Sequence, residues 1–108
     1  MKSNRRSWPG NIDTVAQLAA ARELAITALG FLASNTGELS RFLALTGIDV
    51  GSLRIAAAEP GFLGGVLAYI SGDERTLLAF AAHADVAPEE IGRAKRVLAG
   101  AEWERDLP

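Results

Sequence analysis

The chain has 108 residues, of which 49% are apolar and 22% are charged, a balance typical of one globular domain. Its net charge of −2 favours no polyanionic partner, and the absence of cysteine excludes disulfides and thiolate metal sites. Because charges such as Arg22 and Glu23 interrupt the apolar runs, we expect no membrane span or signal peptide, and we predict a soluble, cytoplasmic protein.

The spacing of apolar residues predicts helices and no strand. Residues 1–10 are expected to form a disordered lead, and residues 11–100 a single helical domain. Helix 1 runs from residue 11 to about 34. Helix 2 follows the N-cap residue Asn35 and ends at Gly47, which suits a left-handed C-terminal position. Helix 3 follows the N-cap residue Asp49 and ends near Glu59.

Three more helices are predicted in the second half of the chain. Pro60 opens helix 4, which ends at Gly72, and Asp73 caps helix 5. Pro88 opens helix 6, which is expected to stop at Gly100. Residues 101–108 are predicted to be a loose tail.

An internal repeat relates the two halves of the chain. Without a gap, Leu24–Ala57 aligns with Phe62–Lys95 at an offset of 38 residues, with 5 identical residues in 34. The offset also pairs the caps Asn35 and Asp73. We therefore predict an all-α, compact six-helix globule built from two related three-helix units, although chance similarity between alanine- and leucine-rich helices is an alternative. Phe42 and Phe80 are the expected equivalent anchors of the core.

Helix 4 carries a stripe of small residues at helical spacing, which includes Gly61, Gly65 and Ala68. Glycine inside a helix costs about 1 kcal/mol relative to alanine, so the stripe indicates close packing. We interpret it as an internal contact with another helix, and a face for self-association or a partner is the alternative.

The pairs formed by helices 2 and 3 and by helices 5 and 6 resemble helix–turn–helix motifs. A DNA reader needs cations at the start of its second helix, but these helices open on Asp49 and on Glu89 and Glu90. The remaining candidate contacts are Arg54, Arg93 and Arg96. Nucleic-acid binding is therefore the alternative function, and the motif is interpreted as a way of packing two helices.

No catalytic, metal-binding or cofactor-binding pattern is present. The single histidine, His83, lacks partners at ligand spacing and is interpreted as a partly buried packing residue. We therefore predict a non-enzymatic protein–protein interaction module without cofactors. Its partner is an unknown protein or a second copy of the chain.

Three stretches carry a resemblance to a known family: Gly37–Asp49, Ala58–Leu63 and Leu77–Ala82. Together they make the region from about Thr27 to Leu98 similar to a group of small bacterial proteins known as domain of unknown function 3572. The resemblance implies an all-helical fold. It implies no activity and no functional residues.

Overall fold

The structure is a computed structural model that describes residues 11–105, so the predicted lead at 1–10 and the last three residues lie outside the described residues. Within that range it contains helices and no strand, which confirms the all-α class. A single 3₁₀ turn, Val50–Ser52, precedes the third helix. The six α-helices are α1 Asn11–Ala33, α2 Thr36–Thr46, α3 Leu53–Ala56, α4 Pro60–Ser71, α5 Glu74–Ala84 and α6 Pro88–Arg105.

The core is formed where α1, α4 and α6 pack against one another. Helix α4 has no charged residue and supplies the most deeply buried side chains, as expected for a central helix. Helices α2 and α5 close the two ends of this arrangement with one phenylalanine each. The fully buried large side chains are Leu32, Phe42, Leu63, Val66, Leu67, Ile70, Phe80, Ile91 and Leu98.

Most helix ends follow the local signals in the sequence. Asn35 accepts a hydrogen bond from the backbone N–H of Glu38 at 3.4 Å, and Asp49 accepts one from Ser52 at 2.8 Å. Gly47 adopts the predicted left-handed conformation, with φ of 75°. Asp73 has the extended backbone of a cap, but its carboxylate accepts from the Thr76 hydroxyl instead of a backbone N–H.

Two boundaries differ from the sequence predictions. Helix α3 ends at Ala56, three residues before the expected end, after a single turn. Helix α6 continues past Gly100 to Arg105, so the prediction of a loose tail is wrong for residues 101–105. Since Gly100 keeps an ordinary negative φ, it continues the helix at the modest cost of an interior glycine.

The bounds of the elements repeat at the offset seen in the sequence. Helices α2 and α5 have 11 residues each and begin 38 positions apart, at Thr36 and Glu74. Both are followed by a left-handed residue, Gly47 and then Asp85 with φ of 59°. The third helices differ, because α3 has 4 residues and α6 has 18.

Reciprocal aromatic contacts join the two halves. The Phe31 ring, on α1, lies 5.4 Å from that of Phe80, on α5. At positions 38 residues away from these, the Tyr69 ring, on α4, lies 5.4 Å from that of Phe42, on α2. Each half thus completes the core of the other.

The expectation that no stretch is apolar enough to cross a membrane is wrong by length and composition. Val15–Ala33 meets that criterion, since the pair Arg22 and Glu23 does not outweigh the apolar residues around it. The elements Val50–Ala56 and Pro60–Ser71 meet it only as one segment bent by 112°. Core helices of soluble proteins meet the same criterion, and α1 buries one face in the core through Ala21, Ala25, Ala28 and Leu32.

Candidate functional site

A hydrogen-bonded polar cluster lies where the start of α2 meets the end of α4. The Tyr69 hydroxyl donates to Glu38 Oε1 at 2.8 Å, and Arg41 Nη1 lies 3.5 Å from Glu38 Oε2. Burial raises the pKa of the Tyr69 phenol, and the hydrogen bond and negative charge of Glu38 raise it further. The phenol therefore stays protonated and acts as a donor at neutral pH.

The polar cluster borders a shallow crevice of about 430 Å³. On its other side, the Thr76 hydroxyl donates to Asp73 Oδ2 at 2.7 Å, and this hydrogen bond lowers the pKa of that carboxyl. The polar side chains around the crevice satisfy one another, and in residues 11–105 no group of three or more His, Cys, Asp or Glu is placed to hold a metal ion. The lining residues are Glu38, Arg41, Ala68, Tyr69, Gly72, Asp73 and Thr76.

The polar cluster belongs to one half of the repeat alone. The positions 38 residues from Tyr69, Glu38 and Arg41 hold Phe31, Thr76 and Ala79. Phe31 carries no hydroxyl and packs on Phe80 and His83 instead. The two halves share their packing and differ in surface chemistry.

A second depression, an open groove of about 530 Å³, runs between α1 and α6. Its floor is apolar, and its rim carries Glu23, Glu90 and Arg93, which are all exposed. The size falls in the range of ligand sites, but a groove with so few converging polar groups suits an apolar side chain better than a polar substrate. The full lining is Gln17, Ala20, Ala21, Glu23, Leu24, Thr27, Ala84, Val86, Glu90, Arg93, Ala94 and Val97.

The most exposed apolar side chains lie at the corner between α2 and α3. Leu45, Val50 and Ile55 are 71%, 68% and 75% exposed, and we call these three residues the α2–α3 corner. The equivalent positions in the second half hold His83, Pro88 and Arg93. His83 and Arg93 are also exposed, so equal exposure is combined with a polar side chain in one half and an apolar side chain in the other.

The small residues of α4 have a different role from the one expected. Gly61 and Gly65 are half-buried and Ala68 is exposed, and no atom lies within 4 Å of a Cβ built on Gly65. The close helix contact instead falls at Gly64, where a Cβ would lie 3.6 Å from Leu98 Cβ. The interpretation of Gly65 as a point of internal contact is therefore wrong, because Gly65 lies about 100° further around the helix from α6.

The three arginines are all exposed but are not brought together as one patch. Arg93 and Arg96 lie one turn apart on α6, and Arg93 borders the groove against α1. Arg54 lies on α3, at the α2–α3 corner.

His83 is exposed, in contrast to the expectation of a partly buried residue. Its ring lies 5.2 Å from that of Phe31 and 6.4 Å from that of Phe80. It covers the edge of this aromatic cluster because it follows Phe80 by three residues, on the same side of α5.

Sequence reasoning missed the pairing of Tyr69 with Glu38. Glu38 was assigned to the cap of α2, where a glutamate three residues after Asn35 commonly reaches back. In the fold that carboxylate turns to α4 instead. The internal repeat carried a signal, since the offset pairs Tyr69 with Phe31 and places a hydroxyl in one half only.

Comparison with known proteins gives one informative result. The chain matches no curated protein and no solved structure. A family model described as "Protein of unknown function (DUF3572)" matches residues 18–101, which include α2 to α5 in full. The match extends over most of the chain and over every contact that joins the two halves. The chain therefore belongs to the DUF3572 family of proteins of unknown function.

Proposed function

We propose that this protein is a non-enzymatic protein–protein interaction module whose partner binds the α2–α3 corner. The observation that carries the proposal is the exposure of Leu45, Val50 and Ile55, each about 70% open to solvent. Exposed apolar side chains are common one at a time, but three within eleven residues are typical of a contact surface. The equivalent corner of the second half serves as an internal reference, since it is equally open and carries a histidine, a proline and an arginine.

Local packing supports the same proposal. Helix α3 has a single turn, and none of its residues is buried. A hydrogen bond of 3.5 Å from Arg22 to the carbonyl of Ala58 ties the following loop to α1. A short, lightly packed element can adjust to a partner at low cost, because few contacts within the protein must be given up.

The charges at the corner favour a protein over a nucleic acid. Arg54 is accompanied by Asp49, whose carboxylate caps the 3₁₀ turn, and the segment has no excess of positive charge. Nucleic-acid binding needs several cations that neutralise phosphates. A surface with an apolar centre and both signs of charge at its edge matches the anatomy of a protein interface.

We further propose that the two halves are related units that arose from one three-helix unit. Support comes from the equal lengths of α2 and α5, their left-handed C-terminal residues, and the reciprocal contacts of Phe31 and Tyr69. Loss of length in α3 would then have exposed the corner in the first unit, while α6 in the second unit was retained in the core.

Affinity capture from extract of the source cells tests the interaction. The full chain is compared with a triple variant, Leu45→Ser, Val50→Ser and Ile55→Ser. We expect the variant to fold, because surface substitutions usually change stability by less than about 0.5 kcal/mol each, and to lose the bound protein. Leu78→Ser is the matched control, since Leu78 is a large, exposed apolar residue on α5.

Two outcomes would contradict the proposal. A protein recovered equally by the wild type and the triple variant binds elsewhere. Recovery that disappears after nuclease treatment, and that also requires Arg54, would support the alternative of nucleic-acid binding.

A further inference from the structure

Helix α1 is apolar around its whole circumference, yet it buries only one side. At 3.6 residues per turn, six exposed residues fall within an arc of about 80° on its other side. We call this set the α1 outer face, and Glu23 is its single charged residue. Its members are Val15, Ala19, Glu23, Ile26, Gly30 and Ala33. A helix face of this composition is normally covered.

The second half of the molecule shows what covers the equivalent surface. Ile26 is 38 positions before Gly64, and Gly64 packs against Leu98 of α6. In the first half the corresponding helix, α3, ends after one turn, and Ile26 is 50% exposed. Among the described residues, therefore, no helix occupies on α1 the place that α6 occupies on α4.

We propose that a second copy of this chain occupies the α1 outer face, so that two α1 helices pack against each other across a two-fold axis. A two-fold contact needs a surface that is complementary to itself. With the helices antiparallel and the axis near Ile26, Ala19 lies opposite Ala33 of the second copy. Glu23 then lies beside Gly30 of the second copy, so the two glutamates do not face each other.

The area of this face sets the strength of the expected dimer. A helix of 23 residues is about 34 Å long and about 10 Å wide, which gives a contact of roughly 340 Å² per copy. Two such faces bury about 700 Å² in total, less than the ~1,200 Å² of a standard stable interface. The proposal is therefore a weak, concentration-dependent dimer.

A second copy fits this face better than a lipid surface does. Glu23 lies within the arc, where its charge would have to enter hydrocarbon at a cost of several kcal/mol or distort the bilayer. The α1 outer face also lacks the lysines and arginines that accompany helices lying on anionic membranes. At a protein interface the same carboxylate can stay at the rim, in water.

Cross-linking through an introduced cysteine tests the arrangement, because the natural chain has none. Under mild oxidation Ile26→Cys should form a disulfide-linked dimer in high yield, since residues near a two-fold axis approach within the Cα separation that a disulfide needs. Leu78→Cys is the matched control, because Leu78 is 49% exposed and Ile26 50%. The control should cross-link at least tenfold more slowly.

Sedimentation equilibrium gives an independent measurement without cysteine. The mass of the wild type should rise above that of the monomer between about 10 µM and about 1 mM, as expected for a small interface. Ile26→Glu should hold the mass at that of the monomer, and Leu78→Glu should behave as the wild type. This surface differs from the α2–α3 corner, so either proposal can fail while the other holds.

Three results would overturn the dimer. The first is a wild-type mass that stays monomeric to about 1 mM, beyond the range of weak specific contacts. The second is equal cross-linking of the variants at positions 26 and 78. The third is a monomer that co-sediments with phosphatidylcholine–phosphatidylglycerol vesicles and loses that binding on Ile26→Glu, which would assign the α1 outer face to lipid.

Discussion

At the scale of single residues, the chain places its most perturbed phenol in a contact that only one half of the repeat can make. Tyr69 donates to Glu38, and both burial and the nearby carboxylate disfavour the phenolate. The folded state therefore binds the phenol proton more tightly than the unfolded state does. The resulting stabilisation is fully present below the unfolded pKa and is lost as the pH rises through the raised pKa of the folded state.

Titration of Tyr69 is a direct measurement, because it is the only tyrosine in the chain. The absorbance of tyrosinate should report a midpoint above the ordinary pKa of 10.0. Glu38→Gln should lower the midpoint, since it removes the negative charge beside the phenol. Glu23→Gln is the control and should leave it unchanged, because Glu23 lies on α1. A wild-type midpoint at or below 10.0 would show that the contact does not persist in solution.

Residues whose roles depend on chain neighbours were predictable, and residues whose roles depend on distant helices were not. Asn35 and Asp49 cap helices through atoms three positions away, so the sequence is sufficient. Tyr69 and Glu38 are 31 positions apart, and their contact depends on how α4 crosses α2. For the same reason the stripe on α4 was recognised while its contact was assigned to Gly65 and not to Gly64.

At the scale of elements, the left-handed residue after α2 decides where that helix stops. Gly47 has φ of 75°, and its N–H donates to the carbonyl of Leu43 at 2.9 Å. A side chain at this position crowds the backbone, whereas a glycine inside a helix at ordinary φ only adds flexibility to the unfolded chain. Glycines in the two settings should therefore respond in opposite directions to the same substitution.

Replacement of each glycine by alanine measures this difference. Gly47→Ala should lower the free energy of unfolding by about 1–2 kcal/mol, the cost of left-handed backbone for an L-residue. Gly30→Ala should raise it by up to about 1 kcal/mol, because Gly30 is inside α1 and no atom lies within 4 Å of the added Cβ. Urea unfolding measures both. A destabilised Gly30→Ala variant would indicate that the face around Gly30 is more crowded than in the isolated chain.

At the scale of the whole molecule, the two related halves cannot hold their structures separately. The ring of Phe31 completes the cluster around Phe80, and the ring of Tyr69 completes the cluster around Phe42. Helix α6 adds a second link, since it packs on α1 of the first half as well as on α4 of its own. Unfolding either half would therefore expose the apolar core of the other.

Native-state hydrogen exchange in low concentrations of urea tests this coupling. Amides in α1, α4 and α6 should converge on one free energy of opening, equal to that of global unfolding, because these helices share the core. Amides of α3 should exchange by local opening that is insensitive to urea, since its single turn buries no residue. Glu59 marks the boundary, and protection should rise from Leu63 onward. If α4 to α6 kept full protection under conditions where α1 and α2 had lost it, the halves would be separate folding units. The reciprocal aromatic contacts would then contribute little to stability.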